Sequence, residues 1–226
     1  AGADVEYWYQ MCRFNGYQGA IGAEYLMSGD ETYMYKMLSI LNDYLHDTGN
    51  YKMTGTTSYN PSGIRGGFTR TLDACGKNGQ FIGLIEVMAK SKTTTPEIFT
   101  AILKNIWDTT NYLSVYQTAS GNWRQSEFQS ILNSSIKMPE FTDALAGKNW
   151  RKMAQDELES MLFFNNLDDG SYVEATCGYN AGAFSGYQSY KSKMLENGVA
   201  VTEEYDELLL KCAYYNVMLY TPDGRN

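Results

Sequence analysis

The sequence predicts an all-α fold assembled from helical hairpins, on three observations. Apolar residues recur at helical spacing in one stretch after another, several of those stretches open on cap residues, and strand-like alternation is nearly absent. The expected helix starts are Asp4, Asp30, Phe68, Pro96, Asn122, Lys148, Thr176 and Thr202, most of them roughly 25 to 28 residues apart. That interval holds a helix of about 15 to 20 residues and a short connection, the unit of helical hairpins and α-solenoids. No residue-level repeat accompanies it.

Each element has a local reason. The helix opened at Asp30 closes on "NDYLHDTGN", where His46 suits the negative end of a helix. Asn50 to Gly67, "NYKMTGTTSYNPSGIRGG", is rich in turn formers and too long for a routine connection, so it reads as a surface loop or part of a site rim. In "TTPEIF", Thr95 is the N-cap, Pro96 the first helical residue and Glu97 a first-turn acid, and Ile98, Ile102, Ile106 and Leu113 then stripe one face. "SGNWRQSEF" opens the next helix, with Ser120 or Asn122 as cap and Trp123 packed inward. Trp150, Met153, Ala154, Leu158, Met161 and Leu162 form a further stripe. Asn165 to Gly182, "NNLDDGSYVEATCGYNAG", breaks one helix at Asp168, Asp169 and Gly170 and opens another. In "VTEEYDELLL", Thr202 caps, Glu203 and Glu204 meet the positive helix end, and Leu208, Leu209 and Cys212 face inward.

Composition narrows the function classes. The 226 residues suffice for a substantial core, and the formal charge of -8 gives a field that repels nucleic acid and anionic membranes. An anionic substrate would need local basic groups, for which Arg65, Arg70 and Arg124 are the candidates. Tyrosine occurs 19 times, and its flat amphipathic ring suits sugar faces as well as cores. Cys12, Cys75, Cys177 and Cys212 lack zinc or redox-pair spacing and read as buried thiols, with one or two disulfides left open. A single histidine excludes a histidine-rich metal site, and no metal or cofactor is expected. No apolar run approaches the roughly 18 residues that span a bilayer, and "AGADVEYWYQ" lacks the features of a signal peptide.

Two stretches carry more chemistry than a turn needs. "GNWRQSEFQSI" spends Asn122, Trp123, Arg124 and Glu127 at a helix start, and "DDGSYVEATCGYNAG" combines Glu174 and Tyr179 with small residues. Taken alone, each reads either as a turn with a core aromatic or as the rim of a groove. Together with the intervening "MPEFTDALAGKNWRKMAQDELESML", in this order and spacing, they resemble the helical domain of heparinase II/III-type polysaccharide lyases, to which alginate lyases are similar. Through "LMSGDETYMYKMLSILNDYL" and "TRTLDACGKNGQFIGLIEVM" the resemblance covers about four fifths of the chain.

The resemblance implies β-elimination at a uronic acid of an acidic polysaccharide. A base takes the C5 proton next to the carboxylate, the C4 oxygen leaves, and an unsaturated sugar results. The doubly charged enolate-like state calls for preorganised donors on the carboxylate. A tyrosine serves as acid when neutral, or as base when nearby positive charge lowers its pKa from about 10. The catalytic residues carried over are Asn122, as carboxylate neutraliser, and Tyr179, as proton carrier, 57 positions apart. Trp123, Arg124, Glu127 and Glu174 match substrate-binding positions, the two acids acting to orient Arg124, Asn122 or a sugar hydroxyl. Trp123 stands where alginate-type members have histidine, which favours glycosaminoglycan-like chains.

Relatives join an (α/α) toroid to a C-terminal antiparallel β-sheet domain that adds a histidine. Here the expectation is one helical domain over 1–226, an incomplete (α/α) toroid from a secreted or periplasmic bacterial lyase, lacking the sheet domain and inactive alone. Two alternatives remain: a non-catalytic carbohydrate-binding module, and an inverting glycoside hydrolase using carboxylates among Glu127, Asp169 and Glu174.

Overall fold

The computed structural model describes residues 20–46, 71–141, 149–174 and 176–219. The expected starts at Asp4, Phe68 and Lys148, the 50–67 loop, and Cys12, Arg65 and Arg70 lie outside them. The described residues are overwhelmingly helical and contain no strand, as the sequence predicts. The chain divides into two compact units, 1–116 and 117–226.

The first unit contains helical residues 20–28 (α1), α2 (Glu31–His46), α3 (Thr71–Lys90) and α4 (Pro96–Val115). Asp30 caps α2, its Oδ1 accepting the Thr32 N–H at 2.9 Å. Thr95 caps α4 through the Ile98 N–H, with Pro96 behind it as expected. Met34, Met37 and Leu41 of α2, Phe81, Leu84 and Met88 of α3, and Ile102, Ile106 and Leu113 of α4 are buried. The α3–α4 connection is tied to α2 by the Glu31 carboxylate. It accepts from Ser91 Oγ at 2.6 Å, Thr93 Oγ1 at 2.8 Å and the Lys92 N–H at 3.1 Å.

The second unit contains α5 (Gly121–Lys137), a 3₁₀ turn (Pro139–Phe141), α6 (Trp150–Asn165), α7 (Cys177–Glu196) and α8 (Glu203–Met218). Helix α5 packs against α6 and α7, and both of those pack against α8. The expected stripe on α6 is buried at Trp150, Ala154, Leu158, Met161 and Leu162. Three tyrosines share the interior and satisfy their hydroxyls. Tyr187 donates to the Met161 carbonyl at 3.1 Å, Tyr205 to the Tyr187 carbonyl at 3.1 Å, and Tyr190 to Glu159 at 2.8 Å. Burial raises all three hydroxyl pKa values, that of Tyr187 to about 12, so these residues remain donors.

Two local expectations need correction. Neither Ser120 nor Asn122 caps α5 through its own side chain; Ser120 is in extended backbone and makes no capping bond. Of the described cysteines, all free thiols, Cys212 is buried and Cys75 half-buried, but Cys177 is exposed because it is the first residue of α7.

Candidate functional site

The N-terminal ends of α5 and α7 open a cleft of about 620 Å³, lined by Asn122, Gln125, Ser126, Thr176, Tyr179 and the small residues of α7. Small side chains keep it open. A Cβ placed on Gly178 or Gly182 would meet nothing within 4 Å. The walls are held at a fixed separation by two amides of α5, Gln125 Nε2 donating to the Ala183 carbonyl at 3.0 Å and Gln129 Nε2 to the Gly186 carbonyl at 2.6 Å. Gly186 is the notch that permits this, since a Cβ there would come within 2.7 Å of the Gln125 amide.

Tyr179 is 49% exposed in the first turn of α7, where Thr176 Oγ1 receives its N–H at 3.3 Å. This is the cap that the sequence places at Thr176. Asn122, 57 positions earlier, lines the same cleft. Among the described lining residues none is basic and none is histidine; the lining is neutral and rich in hydrogen-bonding groups.

An arm between α6 and α7 supplies the missing cap of α5. At its base, Val173 donates its N–H to the Asn165 carbonyl at 3.0 Å and Leu167 to the Ser171 carbonyl at 2.9 Å. Gly170 adopts φ +87°, and a Cβ there would fall 2.3 Å from the Lys211 backbone of α8, so only glycine fits. Buried Tyr172 gives its N–H to Asn180 Oδ1 at 3.1 Å and its hydroxyl to Glu174 Oε1 at 3.1 Å. Burial, reinforced by the Glu174 charge, pushes the Tyr172 hydroxyl pKa up and keeps it a donor. Glu174 in turn accepts the Asn122 N–H at 3.3 Å, an acidic group on the positive end of α5.

The other matched residues lie elsewhere. Glu127 is fully buried, and its two oxygens take the N–H of Thr118 at 2.8 Å and the Thr118 hydroxyl. Arg124 is half-buried against the Phe128 ring, pairs with Glu157 and donates to the Thr118 carbonyl at 2.9 Å. It lines a second hollow of about 600 Å³ with Ser120, Glu157, Phe163 and Phe164. Trp123 is half-buried and lines neither hollow. Gln125, Ser126 and Thr118 were missed by sequence reasoning; the only signal was the polar pair Gln125 and Gln129 at helical spacing.

Over residues 2–226 the chain matches the family profile described as Heparinase II/III N-terminus. Among solved structures, a crystal structure of heparinase III superposes with a TM-score of 0.73 at 19% identity, covering 90% of this chain and 29% of that one. Heparan sulfate lyase HepC from Pedobacter heparinus superposes with a TM-score of 0.68 at 21% identity, covering 92% of this chain and 31% of that one. The chain thus spans less than a third of the length of either relative. No curated protein matches it. Among the described residues no helix is long and apolar enough to cross a membrane.

Proposed function

Because the chain belongs to the heparinase II/III N-terminal family, we propose that its cleft serves β-elimination of a uronic-acid polysaccharide of the glycosaminoglycan type. One observation carries the reading: Asn122 and Tyr179, the two catalytic residues implied by the motifs, line one accessible cleft. The Asn122 amide donates to the uronate carboxylate as the C5 proton passes to a base, the histidine that the resemblance assigns to the sheet domain, and the second negative charge develops. Tyr179, exposed at the cleft, gives its hydroxyl proton to the departing C4 oxygen. Glu174 orients the α5 terminus that carries Asn122. The neutral lining supplies hydrogen bonds to hydroxyls.

The remaining parts of the proposal rest on the resemblance. The helices form part of an (α/α) toroid, a β-sheet domain of the same protein supplies a histidine as second proton carrier, and the protein is secreted or periplasmic. The helical chain alone binds the polymer without turning it over. A hydrolase is disfavoured, because Glu127 is committed to Thr118 and Asp169 to Ser171, whose hydroxyl and N–H hold its carboxyl pKa below the usual value.

The test is made in the full-length protein with heparan sulfate, chondroitin and alginate, following ultraviolet absorbance of the unsaturated product. Tyr179→Phe should fold normally and lose nearly all turnover, and Asn122→Ala should lower kcat by about 10²-fold. Products without that absorbance would mean hydrolysis. Activity of Tyr179→Phe within a few-fold of the parent would remove Tyr179 from the chemistry.

A further inference from the structure

Thr118 lies just before the turn that delivers Asn122, and every polar group it owns is taken by side chains of α5. Its N–H and hydroxyl go to the two oxygens of Glu127, and its carbonyl accepts from Arg124. Glu127 is fully buried, so as it stands it cannot touch a ligand. Arg124 is itself braced by Glu157 and by the Phe128 ring 5.0 Å away. A buried carboxylate is costly unless its oxygens are satisfied, and here one loop residue, Thr118, reaches both of them.

We propose that Glu127 and Thr118 form a positioning lock for Asn122. Glu127 stands six positions into the helix, on its rigid part, and fixes Thr118; Thr118 fixes the residues 119–121; and these set where the Asn122 amide stands in the cleft. Neither residue is catalytic. This rests on the reading of Asn122 given above, and it assigns to Glu127, and to Arg124 as its helper, a task other than binding substrate. Donors aimed at a developing charge act only at short range, so a lock upstream of the donor matters to rate more than to affinity.

The test uses Thr118→Val, which deletes the hydroxyl at nearly constant shape, and Thr118→Ser, which keeps it, both in the full-length protein. Thr118→Val should lower kcat by about 10- to 10²-fold with KM little changed, while Thr118→Ser stays near the parent. Amide hydrogen exchange across residues 117–122, measured on the present chain, should speed up in Thr118→Val alone. Parental kcat in Thr118→Val despite faster exchange would overturn the lock. Glu127→Gln separates geometry from charge and decides the matter if Thr118→Val does not fold. The Gln oxygen can still accept the Thr118 N–H and its NH2 can donate to the rotated hydroxyl, so near-parental kcat is expected. A collapse of kcat in that folded variant would make the Glu127 charge itself essential and refute positioning. If the parent protein yields no unsaturated product from any uronic polymer, the functional reading fails, while the exchange comparison still reports on the lock.

Discussion

The Glu31 carboxylate collects hydroxyls from Ser91 and Thr93 and two backbone N–H groups, and these bonds, that of Ser91 foremost, lower its pKa from 4.5 to about 2. A carboxylate with a depressed folded pKa contributes stability above its unfolded pKa and loses it as pH falls through the folded one. The stability gap between the parent and Glu31→Gln should therefore be full above about pH 5, shrink as pH falls and close only below about pH 2, as read from denaturant unfolding at several pH values. Glycines give a second residue-scale contrast. Gly170→Ala combines a positive φ with a backbone clash at Lys211 and should cost more than about 1 kcal/mol. Gly182→Ala, helical and unobstructed, should stabilise by about 0.5–1 kcal/mol in the same measurement while weakening ligand binding by filling the cleft. Residue type alone could not sort the polar crowd at the start of α5. Asn122 and Arg124 are neighbours in the chain but about 200° apart around a helix, so they enter different hollows.

The helix ends that were legible are those whose caps are local. Asp30, Thr95, Thr176 and Thr202 each receive an N–H from two or three residues downstream, and such a pattern is visible in any short window. Thr202→Ala should accordingly cost about 1 kcal/mol in denaturant unfolding, since α8 begins there and Tyr205, whose N–H it holds, is fully buried. The start of α5 is legible too, with Ser120 at the N-cap position, but its side chain makes no capping bond, and the acidic acceptor at this end, Glu174, arrives 52 residues after Asn122 on the arm before α7. The same helix offered no clear apolar stripe. It buries Gln125, Glu127, Ser130, Ser134 and Ser135 beside Phe128, Ile131 and Leu132; Gln125 reaches α7 and Glu127 the preceding loop, while Ser134 and Ser135 donate to carbonyls of α5 itself, so the inward face does not follow hydrophobic period. Asn122 and Tyr179 could be paired only through the resemblance, because nothing local announces that two helix ends 57 residues apart will share a cleft.

For the molecule as a whole, a charge of -8 opposes any acidic polymer, and the cleft lining holds no cation among the described residues. Because added salt screens that repulsion and finds no attraction to screen in the cleft, affinity for such a polymer should stay level or rise slightly with ionic strength, a dependence that titration calorimetry can measure. A steep fall would point to basic groups such as Arg65 and Arg70, outside the described residues. The exposed sulfur of Cys177 has another effect at this scale. It opens α7 two residues before Tyr179, about 200° away around the helix, and is not among the residues that line the cleft, so when an oxidant such as dissolved oxygen removes the hydrogens of two such thiols, two copies become joined at the ends of α7 and not through their clefts. Aged, unreduced preparations should then run as a covalent dimer that still takes up ligand. Reductant should restore the monomer, and Cys177→Ser should be immune from the start.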